Sequence, residues 1–168
     1  PRANPVLVKV LEDETQEAMV RHEAAEALGA IASPESLEIL EKFKSDQVVE
    51  VAETCQIAIE RIKFFDRKPG ETKSPYDSVD PAPASQTKNV TELKETLLNE
   101  NSPLFERYQA MFSLRNLNSK ESVLALGAGL KSGSALFRHE VAFVLGQLQN
   151  ENGIQFLKQS LEDPGENE

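Results

Sequence analysis

The 168-residue chain predicts an all-α fold: an α-solenoid of helical hairpins arranged in two halves. Three observations carry that prediction. Apolar residues recur at spacings of three and four, with none of the alternation of a strand. The pattern repeats at an offset of 31, which aligns Val20, Ala24, Ala27, Leu28 and Ile31 with Val51, Cys55, Ala58, Ile59 and Ile62. The same offset carries Arg107, Ala110, Phe112, Leu114 and Leu117 onto Arg138, Val141, Phe143, Leu145 and Leu148. Short breaks holding helix-start residues separate the stripes.

The elements follow in order. Residues 4 to 11 form a short helix, read as the second member of a hairpin whose first member lies upstream of the chain. The stripe at 20–31 forms a longer helix. The break "SPES" at 33–36 follows, with Ser33 placed to cap and Pro34 at the first helical position. A shorter helix carries Leu37, Ile39, Leu40 and Phe43, and a long one carries the stripe at 51–62. In the second half, long stripes at 107–117 and 138–148 alternate with short ones at Val123-Leu126-Leu130 and Ile154-Leu157-Leu161. A long helix, a tight turn and a short helix every 31 or so residues make a repeat unit that buries its apolar face only against its neighbours. The pattern resembles HEAT-type repeats.

Residues 66–89 hold Pro69, Pro75, Pro81 and Pro83 and no helical stripe, so they are expected to be a flexible linker between halves at 1–65 and 90–168. "LED" occurs at 11–13 and again at 161–163, and both ends read as cut within a longer array.

Composition narrows the function. A net charge of −10 argues against nucleic acid, whose phosphates need cations, and suits a cationic partner. No run approaches the roughly 18 apolar residues of a membrane helix. The opening "PRANPVLV" has no secretory pattern, and a single Cys55 suits a reducing compartment, so a cytoplasmic location is expected. Cys55 falls within an apolar stripe and reads as a core thiol. The glycine-rich "GAGLKSGSA" at 127–135 lacks phosphate-loop spacing and follows a helix.

Only two histidines occur, and both stand in an Arg-His-Glu triplet: Arg21-His22-Glu23 and Arg138-His139-Glu140. On a helical wheel the apolar stripe of residues 20–31 centres near about 20° and His22 falls near about 200°. His139 likewise falls opposite Phe137, Val141, Val144, Leu145 and Leu148. Both histidines are therefore expected on a face left open. At an offset of 31 the same positions hold Glu53 and Tyr108, so the repeat itself does not require histidine there. Imidazole beside carboxylate suits Fe, Mn or Zn, although adjacent residues diverge by about 100° and one pair offers two donors at most. The alternative reading is a surface histidine paired with Glu26, one helical turn on.

The stretches "MVRHEAAEALGAI", "VVEVAETCQ", "YDSVDPAP", "LFERYQAMFSLRN" and "SGSALFRHEVAFVLGQLQ" resemble the deoxyhypusine hydroxylase family, and the resemblance runs through essentially the whole sequence. It implies a HEAT-repeat, non-haem di-iron monooxygenase with two halves of four hairpins each. That enzyme uses O2 to hydroxylate the deoxyhypusine side chain of the hypusine-containing translation initiation factor. Four His-Glu motifs, two per half, hold two Fe(II) and the substrate amine. By this resemblance His22-Glu23 is the second motif and His139-Glu140 the third. His22, Glu23 and His139 become iron ligands. Glu140 joins the metal-side set and is assigned to the cationic substrate. The first and fourth motifs are absent, so on its own this chain is expected to be inactive. Two chains exchanging halves as a domain-swapped homodimer would bring His139, His22 and Glu23 into one three-donor half-site. The alternative function is a non-catalytic acidic HEAT scaffold binding a basic protein partner.

Overall fold

A computed structural model describes residues 2–68, 70 and 74–166. Pro69 and residues 71–73 of the expected linker, and residues 167–168 of the expected second half, lie outside the described residues. The described secondary structure is wholly helical: α1 (Asn4–Glu12), α2 (Ala18–Ile31), α3 (Leu37–Phe43), α4 (Val49–Arg67), α5 (Val90–Leu98), α6 (Leu104–Leu117), α7 (Lys120–Gly129), α8 (Ala135–Leu148) and α9 (Glu151–Leu161). Two compact units result. One comprises α1 to α4 with Val79–Ala82, the other α5 to α9 with Ser74–Ser78.

In the first unit α2 packs on α1 and α4, and α3 packs on α4. Leu11, Ala25, Leu28, Leu40, Val51 and Cys55 are fully buried between them. In the second unit α6 packs on α5, α7 and α8, and α7 also packs on α9. Leu97, Met111, Leu114, Val123, Leu126, Phe137 and Val141 are fully buried there. The Cys55 thiol has no contact with water, and its burial pushes its pKa up to about 12. It is a core residue and not a nucleophile.

A buried arginine joins α2 to α1, and another joins α6 to α5. Arg21 Nε donates to the Leu11 carbonyl at 2.9 Å, and Arg107 Nε donates to the Leu97 carbonyl at 2.9 Å. Leu11 and Leu97 are the next-to-last residues of α1 and α5, where helix carbonyls have no partner in their own helix. Each arginine then reaches the turn after the following short helix. Arg21 Nη2 meets Asp46 at 2.6 Å, and Arg107 Nη2 donates to Ser132 at 3.0 Å. Their guanidinium planes cover the Phe43 and Phe137 rings. Arg138 lies at the same register in α8, donating to the Gly133 carbonyl at 2.8 Å and pairing with Glu166.

Turns repeat with the helices. Ala32, Asn118 and Gln149 follow α2, α6 and α8 in left-handed conformation at φ 54°, 45° and 48°, ending each long helix without glycine. Ser119 and Ser134 cap α7 and α8 through their hydroxyls. Ser33 makes no such bond, because Pro34–Ser36 forms a 3-10 turn ahead of α3.

Two further expectations are corrected. The buried face of α2 is rotated from the apolar stripe: Val20 and Ile31 are 43% and 37% exposed, whereas Arg21 and His22 are 3% and 7% exposed. The wheel credited apolar side chains alone. Small residues at Ala24, Ala25 and Gly29 admit close neighbours on two sides, and the stem of Arg21 packs as hydrocarbon. The linker region is also anchored in each unit. α4 runs on to Arg67. In the first unit Ala82 is fully buried, and Arg61 donates to the carbonyls of Asp80 at 3.1 Å and Gly29 at 2.6 Å. In the second, Arg115 donates to Ser74 at 3.1 Å and stacks on Tyr76.

Matched glycines give opposite predictions. A Cβ on Gly29 would lie 2.7 Å from that of Ala58, whereas one on Gly146, at the same register in α8, would meet nothing within 4 Å. Gly29→Ala is expected to cost about 1–3 kcal/mol through overcrowding. Gly146→Ala is expected to gain up to about 1 kcal/mol of helix propensity. Urea unfolding of the two variants measures both signs.

Burial disfavours ionisation of Asp46, but hydrogen bonds from Arg21 and from the Val48 N–H outweigh it, and its pKa lies below the ordinary 3.8. A depressed carboxylate stabilises the fold above that value and loses its contribution as pH falls through the lower folded one. Asp46→Asn should therefore be less stable than wild type at pH 6, with the gap narrowing below pH 3.8. Unfolding curves at pH 6 and pH 3 read the difference.

Candidate metal centre

α2 begins at Ala18, so His22 and Glu23 occupy its second turn. Arg21, one residue before, is held by the Leu11 carbonyl and by Asp46, which sets the rotation of that turn. His22 is not on an open face. It is 7% exposed and lies against α4, with Nδ1 2.6 Å from the Thr54 hydroxyl oxygen. Its Nε2 stands 3.6 Å from Glu26 Oε2. Glu23 is exposed beside it. The Glu26 carboxyl is pushed above its usual range, first by burial and then by the negative charge of Glu23.

α8 presents the second pair differently. His139 is exposed and Glu140 half-buried. The residue aligned with His139 in α6 is Tyr108, 2% exposed and packed edge-on against Phe137 at 5.6 Å. The two triplets share a register and an anchoring arginine, yet one imidazole is enclosed and the other faces water. The difference comes from neighbours: α2 has helices on two sides, and the far side of α8 has none among the described residues.

Within each unit the pair supplies one imidazole and one carboxylate, a donor set whose chemistry fits iron. Two donors on successive helix positions do not make a centre by themselves. Among the described residues no three His, Cys, Asp or Glu side chains converge to hold a metal. No helix among the described residues is long and apolar enough to cross a membrane. A shallow groove at α7 and α9, lined by Lys120, Leu124, Glu151, Ile154 and Lys158, contains neither histidine.

Sequence reasoning missed Thr54. Alignment of the repeats matched His22 to Glu53, and nothing in the apolar pattern marks the hydroxyl beside it. The available signal was a threonine within a mostly apolar face, four residues after Glu50, whose carbonyl it engages at 2.7 Å.

Residues 1–60 match the HEAT repeats family, and residues 106–132 and 137–163 match the PBS lyase HEAT-like repeat. The chain is 58% identical to deoxyhypusine hydroxylase of Drosophila melanogaster over 99% of its own length. It is 58% identical to the Rattus norvegicus protein of that name over 96%, and 57% identical to the Homo sapiens one over 95%. The solved structure of human deoxyhypusine hydroxylase in complex with glycerol superposes with a TM-score of 0.94 over 99% of the present sequence, at 56% identity. The chain belongs to the deoxyhypusine hydroxylase family. It spans about half the length of these relatives: 56% of the Drosophila protein, 54% of the rat protein and 58% of the human structure. The all-α HEAT-repeat architecture expected from the periodicity is that of the family, and nothing in the comparisons favours an acidic non-catalytic scaffold.

The enclosure of one histidine is directly measurable. Brief treatment with diethyl pyrocarbonate, read by peptide mass spectrometry, should modify His139 well before His22. Equal rates would contradict the packing of α2 on α4.

Proposed function

We propose that this chain supplies the second and third His-Glu motifs of a cytoplasmic deoxyhypusine monooxygenase. The substrate is the deoxyhypusine side chain of the hypusine-containing translation initiation factor, and the oxidant is O2. The observation that supports this reading is identity of 54–58% to proteins of that name, extending through 95% or more of the sequence and so across both triplets.

His22, Glu23 and His139 hold iron, and Glu140 meets the substrate. When bound by these residues in the intact enzyme, iron would supply the O2-activating chemistry that a hydroxylation requires. The protein's own part is positional. Thr54 of α4 contacts the His22 ring and Arg21 fastens the turn that carries it, an arrangement suited to orienting the imidazole ahead of metal. Glu140 offers a carboxylate on the half-buried side of α8, suited to orienting a cationic amine. The net charge of −10 raises the local concentration of a basic substrate segment.

With two of four motifs, the chain on its own is expected to turn over no substrate. Two copies exchanging halves would unite His139, His22 and Glu23 and recover a half-site. Anaerobic Fe(II) reconstitution, followed by iron analysis of monomer and dimer fractions from sedimentation, tests this. The expected result is iron in the dimer and its loss in His22→Ala. Iron retained by His22→Ala would remove His22 from the ligand set.

A further inference from the structure

The contact between α2 and α4 specifies more than the burial of a ring. Thr54 has a single hydroxyl proton. Its oxygen lies 2.7 Å from the Glu50 carbonyl, which accepts and cannot donate. The hydroxyl therefore donates to Glu50 and turns a lone pair toward His22 Nδ1, 2.6 Å away. Nδ1 must carry hydrogen to complete that contact. In the neutral ring Nε2 then carries the in-plane lone pair, on the side where Glu26 lies.

We propose that Thr54 is a positioning residue for His22: through the series Glu50 carbonyl, Thr54 hydroxyl, His22 Nδ1, it holds the imidazole in one tautomer and one orientation with Nε2 presented to metal. The inference rests on the iron reading for the identity of what Nε2 binds, but not for the hydrogen-bond pattern. A hydroxyl that is itself anchored to a main-chain carbonyl is well suited to this role. Its orientation is set by helix geometry and not by a mobile partner, and at 5% exposure Thr54 is screened from competing water. His139 shows the contrast. It is exposed and has no hydrogen-bond partner among the described residues.

These are the only two histidines in the sequence, so long-range 1H–15N correlation spectra of the metal-free protein give two ring patterns, and His139 serves as the reference within the sample. At pH 8.5 wild-type His22 should show a protonated Nδ1 and an unprotonated Nε2. Thr54→Val should abolish that single-tautomer pattern, Thr54→Ser should restore it, and His139 should not change in either. Thr54→Ala, smaller and a better helix former, is measured beside the valine variant, so that misfolding of one leaves the other to decide. In anaerobic Fe(II) titrations of the dimer fraction the variants lacking the hydroxyl should bind about 10- to 100-fold more weakly, with the serine variant close to wild type. A protonated Nε2 in wild type, or a pattern unchanged by loss of the hydroxyl, overturns the proposal whatever iron does. The expected ring patterns with no iron bound by the dimer fraction of wild type would instead overturn the iron reading, and with it the metal half of this proposal.

Discussion

Each unit depends on one buried arginine near the start of a long helix, Arg21 in α2 and Arg107 in α6. An α-helix leaves its last carbonyls without partners, and a short helix packed inside an array cannot give all of them to water. Arg21 and Arg107 solve this in the same way, with Nε on the next-to-last carbonyl of the preceding helix and the remaining guanidinium nitrogens on the turn that follows the next one. One arginine thus ties three segments together and lies over an aromatic ring in both units. Lysine, a point charge on a flexible stem, could not make these divergent planar contacts. In α2 the arginine also directly precedes His22, so the fastening of the scaffold and the placement of that imidazole share one helical turn.

An anchoring arginine is common to both triplets and does not explain the contrast between them. Arg21 and Arg138 stand at the same register, and each fastens its helix to a turn. What differs is the next helix. α4 lies alongside α2 and brings Thr54 to His22, while the far side of α8 is open among the described residues and leaves His139 in water. In a solenoid a residue's environment is completed by the following repeat, so identical local sequence gives different burial at different places in the array. Gly29 and Gly146 follow the same rule: one lies against Ala58, the other against nothing.

The legible part of the fold was the part written in spacing. The four long helices and the short helices between them follow from apolar residues at intervals of three and four. The anchoring of residues 74–82 was not legible. Proline-rich polar sequence reads as spacer, yet Arg61 and Arg115 are buried cations that need oxygen acceptors and rings around them. The segment supplies some of these through the Asp80 carbonyl, the Ser74 hydroxyl and the Tyr76 ring.

For the site, the sequence by itself singled out the candidate residues. Two histidines in one repeated triplet, within stretches resembling the deoxyhypusine hydroxylase family, single out His22, Glu23, His139 and Glu140 before any fold is known. Helical periodicity also determined that each pair lies on a single helix with divergent side chains. Only the tertiary structure decided that His22 is enclosed, that Thr54 faces its Nδ1, and that Arg21 fastens the turn bearing it. The physical reason is range. Periodicity reports the face of one helix against an averaged interior, whereas a hydrogen bond between residues 22 and 54 depends on how two helices 32 residues apart are rotated against each other. The close approach of Gly29 to Ala58 in that contact constrains the rotation, and no single-helix pattern records it.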